Sequence, residues 1–170
     1  MRTNLRVILL ASWVALWCTI ALAQEKPPAS EPAPAPQAKP ADRPGAEYSG
    51  MYSFLKEGEF VQVTVEDAGR VTGFVSRYGD LESDKGAFLD QFFKTGKLEG
   101  TSLTFTTDVV HGTAYEFKGT VGRGEGKKPG DEAYYVLKGM LTERVTDVNQ
   151  KTSSKSREVT FKAFPAEAEQ

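Results

Sequence analysis

A strict alternation of side chains in residues 60–66 constrains the fold of this chain more than any other feature. Val61, Val63 and Val65 alternate with the intervening aromatic and polar positions. Because successive side chains of a β-strand point to opposite faces, the three valines share one apolar face. The sequence Asp67-Ala68-Gly69 follows and predicts a three-residue hairpin loop with glycine in the left-handed conformation. This stretch therefore predicts two antiparallel strands.

The same period of two, with turn residues at short intervals, continues to the end of the chain. Residues 47–170 hold only two prolines, Pro129 and Pro165, and neither interrupts a predicted strand. We predict an all-β, antiparallel up-and-down meander of about eight strands. The predicted strands are residues 48–55, 60–66, 70–78, 97–99, 103–107, 113–121, 133–146 and 157–164.

An internal repeat supports neighbouring strands with glycine at their centres. The segment Tyr115-Glu116-Phe117-Lys118-Gly119-Thr120-Val121 is matched by Tyr135-Val136-Leu137-Lys138-Gly139-Met140-Leu141. Glycine inside a strand suits a sharply coiled sheet in which a neighbouring aromatic side chain covers the gap. This favours a closed barrel over an open sheet or a sandwich. In the alternative interpretation each glycine marks only a bulge or a turn.

The strand pattern resembles the calycin group of up-and-down barrels, which includes avidin-like and lipocalin-like proteins. The resemblance rests on the apolar-x-Gly strands, such as Val71-Thr72-Gly73 and Phe117-Lys118-Gly119, and covers residues 50–164. Gly50-Met51-Tyr52 carries Tyr where lipocalins have a Gly-x-Trp motif. Avidin-like proteins hold biotin with tryptophans, and both tryptophans here precede residue 24, so biotin binding is not implied. The resemblance implies a barrel with a mouth and room for an internal pocket.

The N-terminal region predicts an exported protein. Residues 1–23 combine a basic start, a long apolar run and Ala21-Leu22-Ala23, the pattern of a cleaved signal peptide. An uncleaved membrane anchor is the alternative. Residues 24–46 are rich in Pro and Ala and predict a disordered linker, since they offer too little apolar surface to offset the entropy of ordering. The expected location is periplasmic or extracellular, with residues 47–170 as a single domain and no transmembrane segment in the mature chain.

Residues 77–95 are the least regular segment and predict the functional region. Phe88, Leu89, Phe92 and Phe93 fall at helical spacing, which predicts a short amphipathic helix over one barrel end. Phe88 and Phe92 are expected to point inward, either as a plug that completes the core or as a gate over a pocket. The candidate ligand-binding residues are Tyr78, Phe88, Phe92, His111 and Tyr115.

The residue inventory offers little for catalysis or for metal binding. The whole chain has one Cys and one His, and no nucleophile motif surrounds a serine. We therefore predict no enzyme activity, no cofactor and no metal. The formal net charge of -2 gives no electrostatic reason to bind nucleic acid.

Two functions remain compatible with the sequence. The favoured one is a non-catalytic exported barrel that binds a small apolar or aromatic ligand, because the chain is 11% aromatic. The alternative is an envelope-associated structural or interaction module with a solid core, whose protein partner the sequence does not identify. An internal cavity distinguishes the first from the second.

Overall fold

The computed structural model describes residues 43–80 and 82–166. The predicted signal peptide, and the predicted linker up to residue 42, lie outside the described residues. The described part begins at Arg43, whose side chain pairs with Asp67 at 2.9 Å, and continues into a short 3-10 helix at Ala46–Tyr48.

Eight antiparallel strands, each hydrogen-bonded to the next along the chain, make up one sheet in the described residues. The predicted all-β meander is confirmed. The strands are β1 (Gly50–Ser53), β2 (Phe60–Val65), β3 (Val71–Tyr78), β4 (Phe88–Glu99), β5 (Ser102–Thr107), β6 (Thr113–Arg123), β7 (Tyr135–Thr146) and β8 (Thr152–Lys162).

The sheet curls until its first and last strands meet. Tyr52 of β1 and Ala163, just after β8, form an antiparallel bridge. The backbone N–H of Phe164 donates to the carbonyl of Met51 at 2.8 Å, and that of Lys162 donates to Oγ of Ser53 at 3.0 Å. Since β1 has only four residues, this contact is short.

The interior of the curled sheet is filled by aromatic and aliphatic side chains. The predicted inward valines of β2 are all buried. Rings from four strands then form a continuous series through the interior, with centroids 4.3 to 5.8 Å apart, in the order Phe93, Phe105, Phe117 and Phe161. This series replaces the large apolar cavity that a closed, empty barrel would enclose.

Glycine faces glycine where β6 and β7 cross the middle of the sheet. Gly119 pairs with Gly139 in the antiparallel register of β6 and β7. A Cβ atom at Gly119 would lie 2.6 Å from Cζ of Phe117 and would overlap the carbonyl oxygen of Lys138. The aromatic ring therefore covers the gap that the glycine leaves, as the sequence predicted.

The predicted helix over the barrel end is wrong. Phe88–Glu99 is strand β4, and it pairs with β3 so that Tyr78 lies opposite Phe88 and Phe74 opposite Phe92. These cross-strand aromatic pairs, with ring centroids 4.5 and 5.6 Å apart, stabilise a strand that helical spacing alone did not reveal. A helix of six residues with no such partners is marginal in water.

The inward orientation predicted for Phe88 and Phe92 is also wrong. Both rings lie on the outer face of β4, and 50% and 60% of their surfaces are exposed. Neither residue is a plug or a gate. The inward positions of this strand belong instead to Gln91, which is 0% exposed, and to Phe93, which stacks on Phe105.

Candidate functional site

Charged and polar side chains close one end of the barrel interior. This end carries the loops between β1 and β2, β3 and β4, β5 and β6, and β7 and β8. The six residues that project into it from strand ends or loops, here called the mouth cluster, are Glu59, Arg77, Gln91, Tyr115, Glu143 and Arg157.

Arg77 is the centre of the mouth cluster. It follows Val71, Gly73 and Val75 at the inward positions of β3, so the strand period directs its side chain inward and leaves it 3% exposed. Its Nε donates to Oε1 of Gln91 at 2.8 Å, and one terminal nitrogen donates to Oδ2 of Asp80 at 3.0 Å. These contacts compensate the cost of removing a guanidinium from water.

Gln91 connects this arginine to the opposite wall. Its Nε2 donates to the carbonyl of Thr113 at 2.7 Å and to that of Asp108 at 3.3 Å. The side chain therefore uses its oxygen for Arg77 and its nitrogen for the chain around the β5–β6 loop. Such a fully satisfied buried amide fixes the relative positions of β3, β4 and β6.

Glu59 holds the β1–β2 loop against β3. Its carboxylate accepts hydrogen bonds from the backbone N–H groups of Lys56 and Tyr78, each at 3.1 Å, although the residue is almost completely buried. Two backbone donors to one carboxylate are the arrangement that stabilises a buried charge.

Tyr115, Glu143 and Arg157 form the other side of the mouth. The Tyr115 hydroxyl donates to Oε1 of Glu143 at 3.3 Å, and a terminal nitrogen of Arg157 donates to Oε2 of the same carboxylate at 3.0 Å. Burial raises the pKa of the Tyr115 phenol well above its usual range; the positive charge of Arg77 opposes this shift and the Glu143 carboxylate adds to it. The phenol is therefore a hydrogen-bond donor at neutral pH.

All members of the mouth cluster except Gln91 line a partly open pocket of about 270 Å³, called the mouth pocket. Leu55, Lys56, Asp80 and Lys155 complete its wall. Larger depressions lie on the outside of β7 and β8 and at the opposite barrel end, with volumes of about 580 and 570 Å³, but they are more open to solvent. The mouth pocket alone among these three is bordered by the buried charges of the interior.

The structure separates the five residues predicted to bind a ligand. Tyr115 lines the mouth pocket. Tyr78 contributes its backbone N–H to Glu59, while its ring stacks against Phe88. Phe88 and Phe92 lie on the outer face, as described above. His111 lies in the β5–β6 loop and shares a hydrogen bond between its Nδ1 and the nearly buried carboxylate of Asp84.

Sequence reasoning missed most of the mouth cluster. The available signal was a charged residue in phase with an apolar strand face: Arg77 continues the inward series of Val71 and Val75, and Arg157 precedes the inward Phe161 by four positions. For Gln91 there was no such signal, because its strand was predicted to be a helix.

Comparison with solved structures identifies the architecture. The crystal structure of rhizavidin aligns with a TM-score of 0.52 at 12% identity, covering 72% of this chain and 86% of that one. The crystal structure of the rhizavidin–biotin complex aligns with a TM-score of 0.50 at 12% identity, covering 72% of this chain and 96% of that one. The fold is avidin-like. The predicted calycin resemblance is therefore confirmed at the level of the fold.

No protein-family model matches the sequence, and no curated protein matches it significantly. In residues 43–80 and 82–166, no three His, Cys, Asp or Glu side chains are grouped so that they could hold a metal ion. None of the helices within those residues has the length and apolarity needed to cross a bilayer.

Proposed function

We propose that this chain is an exported, non-catalytic barrel that binds a small polar ligand in the mouth pocket. The observation that carries this is the buried Arg77, held by Gln91 and Asp80 beside a partly open pocket of about 270 Å³. Structural stability alone favours apolar residues at such positions, and buried ionisable groups around a concavity mark binding sites. That a protein of the same fold is described in complex with biotin supports a small-ligand role for this architecture.

The ligand chemistry we propose differs from the apolar or aromatic ligand that the composition favoured. The interior that would receive such a ligand is filled by the Phe93, Phe105, Phe117 and Phe161 rings. The pocket that remains is lined mainly by charged groups, which an apolar ligand would leave without partners.

A screen of small soluble molecules by NMR on the isotope-labelled chain tests the proposal. Binders should shift the resonances of Tyr115 and of the Gln91 side-chain amide, and Glu143→Gln should change their affinity, because it removes the carboxylate that pairs with Arg157 at the pocket wall. Glu116→Gln is the matched control, because Glu116 pairs with Lys118 and Arg144 on the outer face. If every binder shifts only the resonances of outer-face residues, and its affinity is the same for Glu143→Gln, the mouth is not the site.

Export is part of the same proposal and rests on the sequence pattern of residues 1–23. The intact mass of the protein from the periplasmic or secreted fraction should match a chain that begins at Gln24. A full-length product that pellets with membranes would contradict it.

The second candidate remains an envelope-associated interaction module with a solid core. A partly exposed aromatic row on the outer face favours it: Phe60, Phe74 and Phe92 lie on three neighbouring strands with ring centroids 5.8 and 5.6 Å apart, and Phe92 is the exposed member. This candidate predicts that Phe92→Ser moves the protein from the envelope-bound to the soluble fraction. Val148→Ser is the control, since Val148 is the more exposed apolar side chain and lies outside the row.

A further inference from the structure

One buried donor in the mouth has no acceptor. Within the described residues, Nε of Arg157 is buried and has no hydrogen-bond partner, while a terminal nitrogen of the same guanidinium donates to Glu143 and 36% of the side chain is exposed. A buried N–H without an acceptor is costly, and native proteins rarely keep one. The guanidinium of Arg157 therefore has donor capacity that the described residues leave unused.

The carboxylates of the mouth already have donors. Glu59 accepts two backbone N–H groups, Asp80 accepts from Arg77 and Lys56, and Glu143 accepts from Tyr115 and Arg157. No described carboxylate pairs with Lys155, which lies on the pocket wall.

The formal charges of the pocket wall point the same way. Four cations, Lys56, Arg77, Lys155 and Arg157, face the three acids named above. The unused hydrogen-bond donors and the excess of positive charge therefore both favour an anionic ligand.

The dimensions of the pocket limit the size of that anion. About 270 Å³ corresponds to roughly nine water molecules at about 30 Å³ each. Leu55 and the ring of Tyr115 give the wall an apolar part, against which a short chain or one small ring can pack. A peptide or a long acyl chain exceeds this space.

We propose that the mouth pocket binds a compact organic carboxylate, whose oxygens accept from Arg157 and Lys155 while its carbon skeleton packs against Leu55 and the Tyr115 ring. This inference rests on the proposed small-ligand function and adds the class of ligand. A planar carboxylate matches the geometry of a guanidinium donor better than a spherical anion does.

The test compares acids with their uncharged amides on the same protein. Benzoate and glutarate should each produce saturable shifts at Tyr115 and at the Gln91 side chain when titrated to millimolar concentration. Benzamide and glutaramide should bind at least about tenfold more weakly, because they lack the charge that the donors require. Added salt should weaken the binding of the acids and leave the binding of the amides unchanged.

Variants assign the effect to individual residues. Arg157→Gln should weaken the binding of both acids by about tenfold or more, and Lys155→Gln, an exposed change that leaves the interior intact, should weaken it by a smaller factor. Arg144→Gln is the matched control, since that arginine pairs with Glu116 outside the barrel.

The outcomes separate this inference from the proposed function. If amides or other neutral molecules bind in the mouth as tightly as the acids, the pocket binds small ligands but the carboxylate assignment is wrong. If neither acids nor neutral molecules shift mouth resonances, both proposals fail. If the acids bind but Arg157→Gln and Lys155→Gln change nothing, the assignment to these donors is wrong.

Discussion

The Nε of Arg77 donates to the side-chain oxygen of Gln91 at 2.8 Å, and solvent reaches almost none of either side chain. The two residues come from neighbouring strands, and their inward positions place a charge at the end of an otherwise apolar interior. This pair positions the mouth pocket, because Arg77 lines it and Gln91 ties Arg77 to the β5–β6 loop.

Removing the amide of Gln91 should therefore destabilise the whole barrel. Gln91→Leu leaves Nε of Arg77 without its acceptor and removes one of the two hydrogen bonds to the carbonyl of Thr113, so we expect the free energy of unfolding to fall by about 3 kcal/mol. Gln62→Leu, on the outer face of β2, is the matched control and should change it by less than about 1 kcal/mol. Urea unfolding measures both, and equal effects would contradict the role of Gln91.

The glycine pair of β6 and β7 predicts a difference between two alanine substitutions on one strand. Gly119→Ala places a Cβ against the Lys138 carbonyl and the Phe117 ring, and should cost about 1–3 kcal/mol. At Gly122 a Cβ meets nothing within 4 Å, so Gly122→Ala should be neutral or stabilising by up to about 1 kcal/mol. Thermal unfolding of the two variants compares them directly, and a neutral Gly119→Ala would show that the strands can separate at this point.

The two faces of the sheet predict opposite results for two phenylalanines. Phe105 is 1% exposed within the interior ring series, and Phe105→Ala should lower the free energy of unfolding by about 3–5 kcal/mol. Phe92→Ala removes only an outer ring that touches Phe74, and should cost less than about 1.5 kcal/mol. A large loss of stability for Phe92→Ala would contradict the outward orientation of this ring and favour the inward one.

Buried phenols predict a loss of stability in alkaline solution. Burial raises the pKa of Tyr52 and of Tyr115 in the folded protein, whereas both ionise near pH 10 when unfolded. Above about pH 10 the unfolded chain therefore binds fewer protons than the folded one, so the free energy of unfolding decreases as the pH rises. Below that pH the contribution is fully present.

Urea midpoints between pH 8 and 11.5, with phenolate absorbance as the second readout, measure this effect. Tyr115→Phe should reduce the alkaline loss, because it removes one of the two raised groups. A midpoint that stays constant up to pH 11.5 in the unmodified protein would count against buried, protonated phenols at these positions.

The local sequence pattern was sufficient to predict the strands that have one apolar and one polar face. The alternation around Val61 and the repeat around Gly119 each specify which side chains face inward, and both strands and their pairing follow from that. Gly69 was likewise predicted in the left-handed conformation, and its φ of 72° confirms it. In these cases a residue and its immediate neighbours contain the whole signal.

Strand β4 could not be predicted in this way, because both of its faces carry aromatic side chains. Phe88, Leu89, Phe92 and Phe93 satisfy helical spacing and a strand with two apolar faces equally well. The choice depends on Tyr78 and Phe74 of the neighbouring strand, which pair with the outer rings, and on Phe105, which stacks on the inner one.

The sequence by itself determined the meander, its core-facing valines and the glycines at which the sheet coils, since period-two burial is a local property of the chain. Only the tertiary structure decided the conformation of β4 and the composition of the mouth. Arg77, Gln91 and Arg157 are separated by many residues along the chain, and their charges and amide groups meet only when the sheet curls and brings strand ends from opposite walls together. The strand period can indicate that Arg77 and Arg157 face inward, but which groups meet depends on contacts between distant strands, and no local pattern specifies those contacts.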